Sequence, residues 1–173
     1  MEDKIEVLIS EEVVEARIKE LAEQIMKEHG EERITFICVL KGASFFATEL
    51  AKRVRNDVEM EFIQVSSYGE GTVSSGNIAL KKDIETSIVN KNVIIVEDII
   101  DTGYTMKYLI KYFNSKNPKS LKVCTLLDKP ERREVEVPVN YIGISIPNEF
   151  VVGYGLDYNE KYRNLPYIGK VIL

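Results

Sequence analysis

Val93-Ile94-Ile95-Val96-Glu97-Asp98-Ile99-Ile100-Asp101-Thr102-Gly103-Tyr104-Thr105 is the stretch whose reading decides the fold. Four aliphatics, Val93 to Val96, read as a buried strand. Two adjacent carboxylates, Glu97 and Asp98, stand where that strand is expected to end, and a third, Asp101, follows. Beyond the Thr-Gly-x-Thr turn, Met106, Leu109, Ile110 and Phe113 repeat at helical spacing. A strand that runs through a small-residue turn into a helix aims free backbone N–H groups at one point. The helix dipole makes that point attractive to an anion. Thr102 and Thr105 add hydroxyl donors, and Gly103 lets the backbone approach a ligand closely. The carboxylates need a different partner, since phosphate repels them while sugar hydroxyls and a divalent cation do not. The stretch therefore asks for a ligand that carries a phosphate, vicinal hydroxyls and Mg²⁺.

Outward from this point the chain alternates between strands and helices. Ser10 is placed to cap a helix whose apolar face is Val14, Ile18, Leu21, Ala22 and Ile25. That helix ends at His29-Gly30, where glycine suits the left-handed position past a helix. Residues 34–40 read as a strand buried on both faces, as in a parallel sheet. Lys41-Gly42-Ala43-Ser44 is a turn, 45–54 a helix and 60–65 a strand. Residues 66–76 are Gly- and Ser-rich and read as a mobile loop. Strands are expected at 78–82, 121–127 and 141–146. From Pro147 onward the chain is aromatic, glycine-punctuated and aperiodic. Such alternation predicts an α/β fold, a doubly wound and mostly parallel central sheet with helices on both faces. Ligands in these sheets bind outside the carboxyl ends of the strands. The turns after Leu40, Val96 and Leu127 all fall there.

The chain has 173 residues, enough for one domain with a real core, and 1–173 is read as a single domain. Its formal net charge of -5 argues against nucleic acid as the main partner. The N-terminus is charged and lacks the apolar run of a secretory signal. The longest apolar runs are strand-sized, so no membrane span is expected. Cys38 and Cys124 each lie in an apolar strand pattern and read as small buried hydrophobes. With one histidine and no Cys-x-x-Cys, a zinc site is not expected. These features together predict a cytoplasmic protein. A P-loop, a complete Gly-x-Gly-x-x-Gly and a Gly-x-Ser-x-Gly elbow are all missing from the sequence.

The 93–105 stretch resembles the phosphoribosyl-pyrophosphate (PRPP) motif of type I phosphoribosyltransferases. Its Glu-Asp-Ile-Ile-Asp-Thr-Gly form is similar to the hypoxanthine-guanine branch. The resemblance covers nearly the whole chain after the first helix, in four blocks that match in order. It implies the type I fold, with a small hood built from about 147–173. It also implies Mg²⁺ as cofactor, PRPP and a 6-oxopurine base as substrates, and a homodimer or homotetramer. Glu97 and Asp98 would accept from the ribose hydroxyls, and Thr102, Gly103, Tyr104 and Thr105 would wrap the 5′-phosphate. Asp101 would face purine N7 and handle the proton that a base attacking through N9 must lose.

Leu40-Lys41-Gly42 resembles the family's pyrophosphate loop, in which the Leu-Lys bond is often cis; the sequence alone does not reveal that state. Arg163 matches an arginine that reaches pyrophosphate, and Arg133 is a further candidate. Ser67-Tyr68 resembles the pair that opens the family's mobile loop, which closes to exclude water. Lys129 matches the lysine that donates to purine O6, Phe150 the aromatic stacked on the base, and Val151 and Asp157 backbone contacts to the purine edge. The Asp157 side chain would join Glu97 and Asp98 in holding Mg²⁺. Gly155 departs mildly from the small residue common at its position. Two other readings share the fold: a transferase for xanthine or uracil, and an RNA-binding regulator. The regulator wants a basic surface and no acid at the position of Asp101, and this sequence offers neither.

Overall fold

The computed structural model describes residues 4–67 and 77–172. In chain order these form strand β1 (Lys4–Ile9), helix α1 (Glu11–His29), β2 (Ile34–Leu40), α2 (Ser44–Arg53), β3 (Val58–Ser67) and β4 (Ile78–Lys82). They continue as β5 (Asn92–Ile100), α3 (Tyr104–Asn114), β6 (Ser120–Asp128), β7 (Tyr141–Ser145), β8 (Val151–Val152) and β9 (Ile168–Ile172). A single 3₁₀ turn, Pro130–Arg132, follows β6.

Six strands make the main sheet in the order β4-β3-β2-β5-β6-β7. All neighbours run parallel except β4, which pairs antiparallel with β3. The doubly wound, mostly parallel sheet expected from the alternation is what forms. Because side chains alternate across a strand, each central strand feeds two cores. Phe36 and Cys38 of β2, Ile94 and Val96 of β5, and Cys124 and Leu126 of β6 face α1 and α2. Ile37 and Val39, Val93 and Ile95, and Val123 face α3. Val14, Ile18, Leu21 and Ile25 of α1 are fully buried, at spacings that keep them on one helix face. Truncating one of them, as in Leu21→Ala, is expected to cost about 2–5 kcal/mol. The Ser10 side chain accepts from the Val13 N–H at 3.4 Å and so caps the helix. Cys38 and Cys124 are free and buried, and burial pushes the Cys38 thiol up to about 12.

Winding reverses between β2 and β5. From β2 the sheet grows through β3 on one side, and from β5 through β6 and β7 on the other. That reversal is the topological switch point where such sheets open a crevice, and the turns after β2 and β5 face it together.

The structure differs from the sequence reading in two respects. First, Glu97 and Asp98 do not follow strand β5 but lie within it. Pairing with β2 stops at Cys38–Val96, whereas pairing with β6 continues through Ile99–Leu127 and Ile100–Asp128. The acids thus sit on a stretch paired on one side only, with the β2 side open. Second, the small three-stranded sheet has the order β1-β9-β8. Its β1 comes from the N-terminus, not from 147–173. The first residues had no clear signal because β1 is mostly exposed and pairs antiparallel with β9, at the far end of the chain. As for the expected mobile loop, Ser67 ends β3, and Tyr68 through residue 76 lie outside the described residues.

Candidate active site

The loop after β2 is shaped by close backbone packing. The Leu40–Lys41 peptide is cis. The Lys41 carbonyl accepts from the Ser44 N–H at 3.1 Å and from the Ser44 hydroxyl at 2.7 Å, which folds the loop back onto the start of α2. Gly42 lies directly against the Asp98 carboxylate; a Cβ there would meet Asp98 Oδ2 at 1.7 Å. On its other side, a Cβ on Gly155 would meet the Gly42 carbonyl oxygen at 2.1 Å. Gly155 also has φ +99°, which a side chain would strain. The loop is therefore clamped between β5 and the C-terminal segment, and only glycine fits at the contacts.

Glu97 is buried and Asp98 half-buried. A Glu97 carboxylate oxygen accepts from the Asp98 N–H at 3.0 Å, and Asp98 Oδ1 accepts from the Ile99 N–H at 2.6 Å. Burial, reinforced by the neighbouring Asp98 charge, pushes the Glu97 carboxyl well above the usual range. Burial also raises Asp98, against the opposing pull of the Glu97 hydrogen bond, the Ile99 N–H and the Arg163 guanidinium. Two carboxyls this close and this buried do not both ionise readily. A cation or hydroxyl donors placed beside them would relieve that conflict.

Gly103, at φ +96°, caps α3, and its carbonyl accepts the Lys107 N–H at 2.9 Å. Residues 97–103, Thr105 and Met106 line a cavity of about 220 Å³. The cavity lies beside the amino terminus of α3, in the position favoured for an anion. Its wall is braced from behind: the Thr102 carbonyl accepts from the Glu134 and Val135 N–H groups at 3.0 and 3.2 Å.

Asp101 lies on the rim of this cavity, where Arg132 Nε donates to its Oδ1 at 3.0 Å. The Asp101 backbone carbonyl accepts from Arg133 Nε at 3.1 Å, and the same guanidinium pairs with the buried Asp128 carboxylate. Arg133 therefore clasps the end of β6 to the motif turn. Lys129 is only 8 % exposed, and its N–H donates to the Ile100 carbonyl at 3.0 Å. Burial lowers its ammonium below the usual lysine range, with Asp101 pulling the other way. It is thus not the solvated lysine that a strand end alone would imply.

Phe150 is 49 % exposed, so its ring is no part of the core. It meets Tyr158 edge-on at 5.5 Å between centroids. Val151 is buried in β8. The Asp157 carboxylate accepts from Arg163 Nη2 at 3.1 Å and from the Glu160 N–H at 2.8 Å. Arg163 Nη1 donates to the Gly155 carbonyl at 2.8 Å, whereas its buried Nε has no partner among the described residues. Glu160 reaches both expected pyrophosphate cations: Lys41 Nζ at 3.1 Å and Arg163 Nη2 at 3.1 Å.

The structure thus links Lys41, Gly42, Asp98 and Arg163 through the Gly42–Asp98, Gly42–Gly155 and Glu160 contacts, and sets Asp101 in one cavity with the Thr102 and Thr105 turn, near Lys129. The expected metal set is not gathered. Arg163 and a backbone N–H occupy Asp157, and no cluster of three His, Cys, Asp or Glu side chains suited to a metal forms among the described residues. The carboxylate oxygens of Glu97 and Asp98 are nonetheless hard donors of the type Mg²⁺ prefers. Mg²⁺ is commonly held by one or two carboxylates together with substrate phosphates. Two site residues escaped the sequence reading: Arg132, which pins Asp101, and Glu160, which bridges the cations. Arg132 had a weak signal in its nearness to Lys129. Glu160 had none, because it reaches Lys41 across 119 residues of chain.

The family described as "Phosphoribosyl transferase domain" matches residues 9–159. The chain is 47 % identical over 174 residues to the hypoxanthine phosphoribosyltransferase of Buchnera aphidicola subsp. Schizaphis graminum, covering 99 % of this chain and 98 % of that one. It is 47 % identical over 163 residues to the hypoxanthine-guanine phosphoribosyltransferase of Bacillus subtilis, covering 94 % and 91 %. The crystal structure of a hypoxanthine-guanine phosphoribosyltransferase from Bacillus anthracis, with a HEPES molecule in its active site, superposes with a TM-score of 0.94 at 51 % identity. That match covers 99 % of this chain and 100 % of that one.

Proposed function

The chain belongs to the phosphoribosyl transferase domain family, and from that premise we propose how its residues carry out purine salvage. The reaction moves 5-phosphoribosyl from PRPP to N9 of hypoxanthine or guanine, giving IMP or GMP and pyrophosphate. One observation supports this assignment of roles above the others. A lysine-glycine loop, a carboxylate pair and a strand-to-helix anion turn meet at a single switch point.

In this reading the Thr102-Gly103-Tyr104-Thr105 turn holds the 5′-phosphate, while Glu97 and Asp98 take the ribose hydroxyls. Lys41, Gly42 and Arg163 receive pyrophosphate as it leaves. Lys129 donates to purine O6, Phe150 stacks on the base, and the backbone of Val151 and Asp157 meets its edge. Asp101 accepts the ring proton at N7 as N9 bonds to C1′. The protein supplies placement and charge complementarity rather than a covalent intermediate. Mg²⁺, held by Glu97, Asp98 or Asp157 together with substrate oxygens, would neutralise charge on the leaving pyrophosphate.

Residues 1–173 act as one domain, in a homodimer or homotetramer, with neither nucleic acid nor membrane as partner. No helix among the described residues is long and apolar enough to cross a membrane, and we assign the activity to the cytoplasm. A spectrophotometric screen of five bases with PRPP and Mg²⁺ tests the reading. Hypoxanthine or guanine should turn over, whereas adenine and uracil should not. Turnover of uracil or xanthine alone would reassign the base pocket.

A further inference from the structure

We propose that Glu160 is a resident anion of the pyrophosphate site, whose carboxylate the incoming diphosphate must displace. The inference rests on the assignment of Lys41 and Arg163 to pyrophosphate. Each oxygen of Glu160 takes one cation: Oε2 accepts from Lys41 Nζ at 3.1 Å and Oε1 from Arg163 Nη2 at 3.1 Å. One carboxylate thus spans the two groups that a diphosphate would span.

The backbone gives a second, independent argument. Tyr158 and Lys161 exchange N–H···O bonds of 3.1 and 3.0 Å around a two-residue turn. Both turn residues have positive φ, Asn159 at 51° and Glu160 at 61°. Turns with positive φ at both central positions favour Asn-Gly, because glycine takes the second place without steric penalty. Here a long, branched-free acid stands at that place instead. A turn built only to reverse the chain would hold glycine more cheaply, so the side chain is what the position uses. Its N–H donates to Asp157 Oδ2 at 2.8 Å, while its carboxylate meets Lys41.

The contact is built to be broken. The Glu160 and Lys41 side chains are 65 % and 58 % exposed, and exposed ion pairs are individually weak. A diphosphate, which carries more charge and more acceptor oxygens, therefore wins the competition. Glu160 then waits beside the site and competes again as pyrophosphate departs. In this way it lowers affinity for the diphosphate and speeds its release.

The test uses the full chain with Mg²⁺ and inorganic pyrophosphate as the probe, by calorimetric titration, together with KM for PRPP. Glu160→Gln removes the charge and keeps the shape, while Glu160→Gly removes the side chain and suits the positive φ. Both variants should bind pyrophosphate about two- to fivefold more tightly, with a matching fall in KM for PRPP and no change in KM for hypoxanthine. In a Lys41→Met background the gain from Glu160→Gln should shrink. Unchanged or weaker binding in both Glu160 variants overturns the inference. Disagreement between the two traces the effect to the turn's backbone and also overturns it. Lys41→Met alone separates the two levels of argument. If it weakens pyrophosphate binding while the Glu160 variants do nothing, only the resident anion fails. If it too changes nothing, the assignment of the pyrophosphate site fails with it.

Discussion

Gly42 and Asp98 are in such close contact that a Cβ on the glycine would lie 1.7 Å from the aspartate's Oδ2. The aspartate has no easy retreat, because its other oxygen accepts the Ile99 N–H at 2.6 Å. Gly42 lies in the loop after β2 and Asp98 within β5, across the switch point, and their contact sets the spacing between that loop and the acids of β5.

Gly42→Ala should therefore damage activity far more than stability. Overpacking of this kind costs about 1–3 kcal/mol, which a core of this size tolerates. Displacing the Asp98 carboxylate by about an ångström should cut kcat/KM for PRPP by roughly 10²-fold. Thermal melting and steady-state kinetics on one preparation decide the matter. A folded variant with parental kinetics would show that the Gly42–Asp98 spacing is irrelevant to turnover.

Asp101→Asn keeps the side chain's shape and removes its basicity. It should lower kcat by roughly 10²–10⁴ while leaving KM for PRPP nearly unchanged. Arg132→Met should reproduce a smaller part of this loss, about tenfold, because it frees Asp101 to swing without deleting it. The double variant should be no worse than Asp101→Asn alone, since residues acting as a unit are not additive. A collapse of PRPP affinity with kcat intact would instead make Asp101 a ribose or metal group.

Lys129→Met should separate function from stability. Hypoxanthine and guanine present an acceptor at O6, whereas adenine presents an amine. The variant should lose most 6-oxopurine kcat/KM and little adenine activity, narrowing a ratio that such sites can hold at about 10⁴–10⁵. A parental hypoxanthine-to-adenine ratio would move base recognition to the backbone of Val151 and Asp157.

The same variant carries a pH signature. Burial lowers the Lys129 pKa in the folded protein, so the folded state binds this proton less well than the unfolded chain does. Stability must then rise with pH between the lowered folded value and the ordinary lysine value of about 10.5. Below that window the parent bears the full cost of a buried charge. Lys129→Met should melt higher than the parent at neutral pH, and the gap should narrow in alkali. An equal gap at both pH values would show that the charge is not the cause.

Turnover should require Mg²⁺ and PRPP together, and excess chelator should abolish it. PRPP should raise the melting temperature more with Mg²⁺ than without, as tighter binding to the folded state requires. Full activity in chelator would remove the metal from the mechanism.

The local chemistry was legible in the sequence. The aliphatic run at Val93–Val96, the Thr-Gly turn and the helical spacing from Met106 to Phe113 are short-range patterns, and short-range patterns dictate strand, turn and helix. The same holds for the buried faces of α1 and β2, and for the alternation that implies a parallel sheet. What tertiary structure alone decided was everything that depends on residues distant in sequence. Glu97 and Asp98 lie inside β5 because β6 pairs beyond the point where β2 turns away. Residues 4–9 form a strand because β9 is there to pair with them. Arg132 reaches Asp101 across 31 residues, Glu160 reaches Lys41 across 119, and Gly42, in the loop after β2, is excluded from bearing a side chain by an aspartate on β5. A side chain's type and periodicity are properties of its own segment. Its partner, its burial and the charge it feels are set only when the sheet has closed around the switch point.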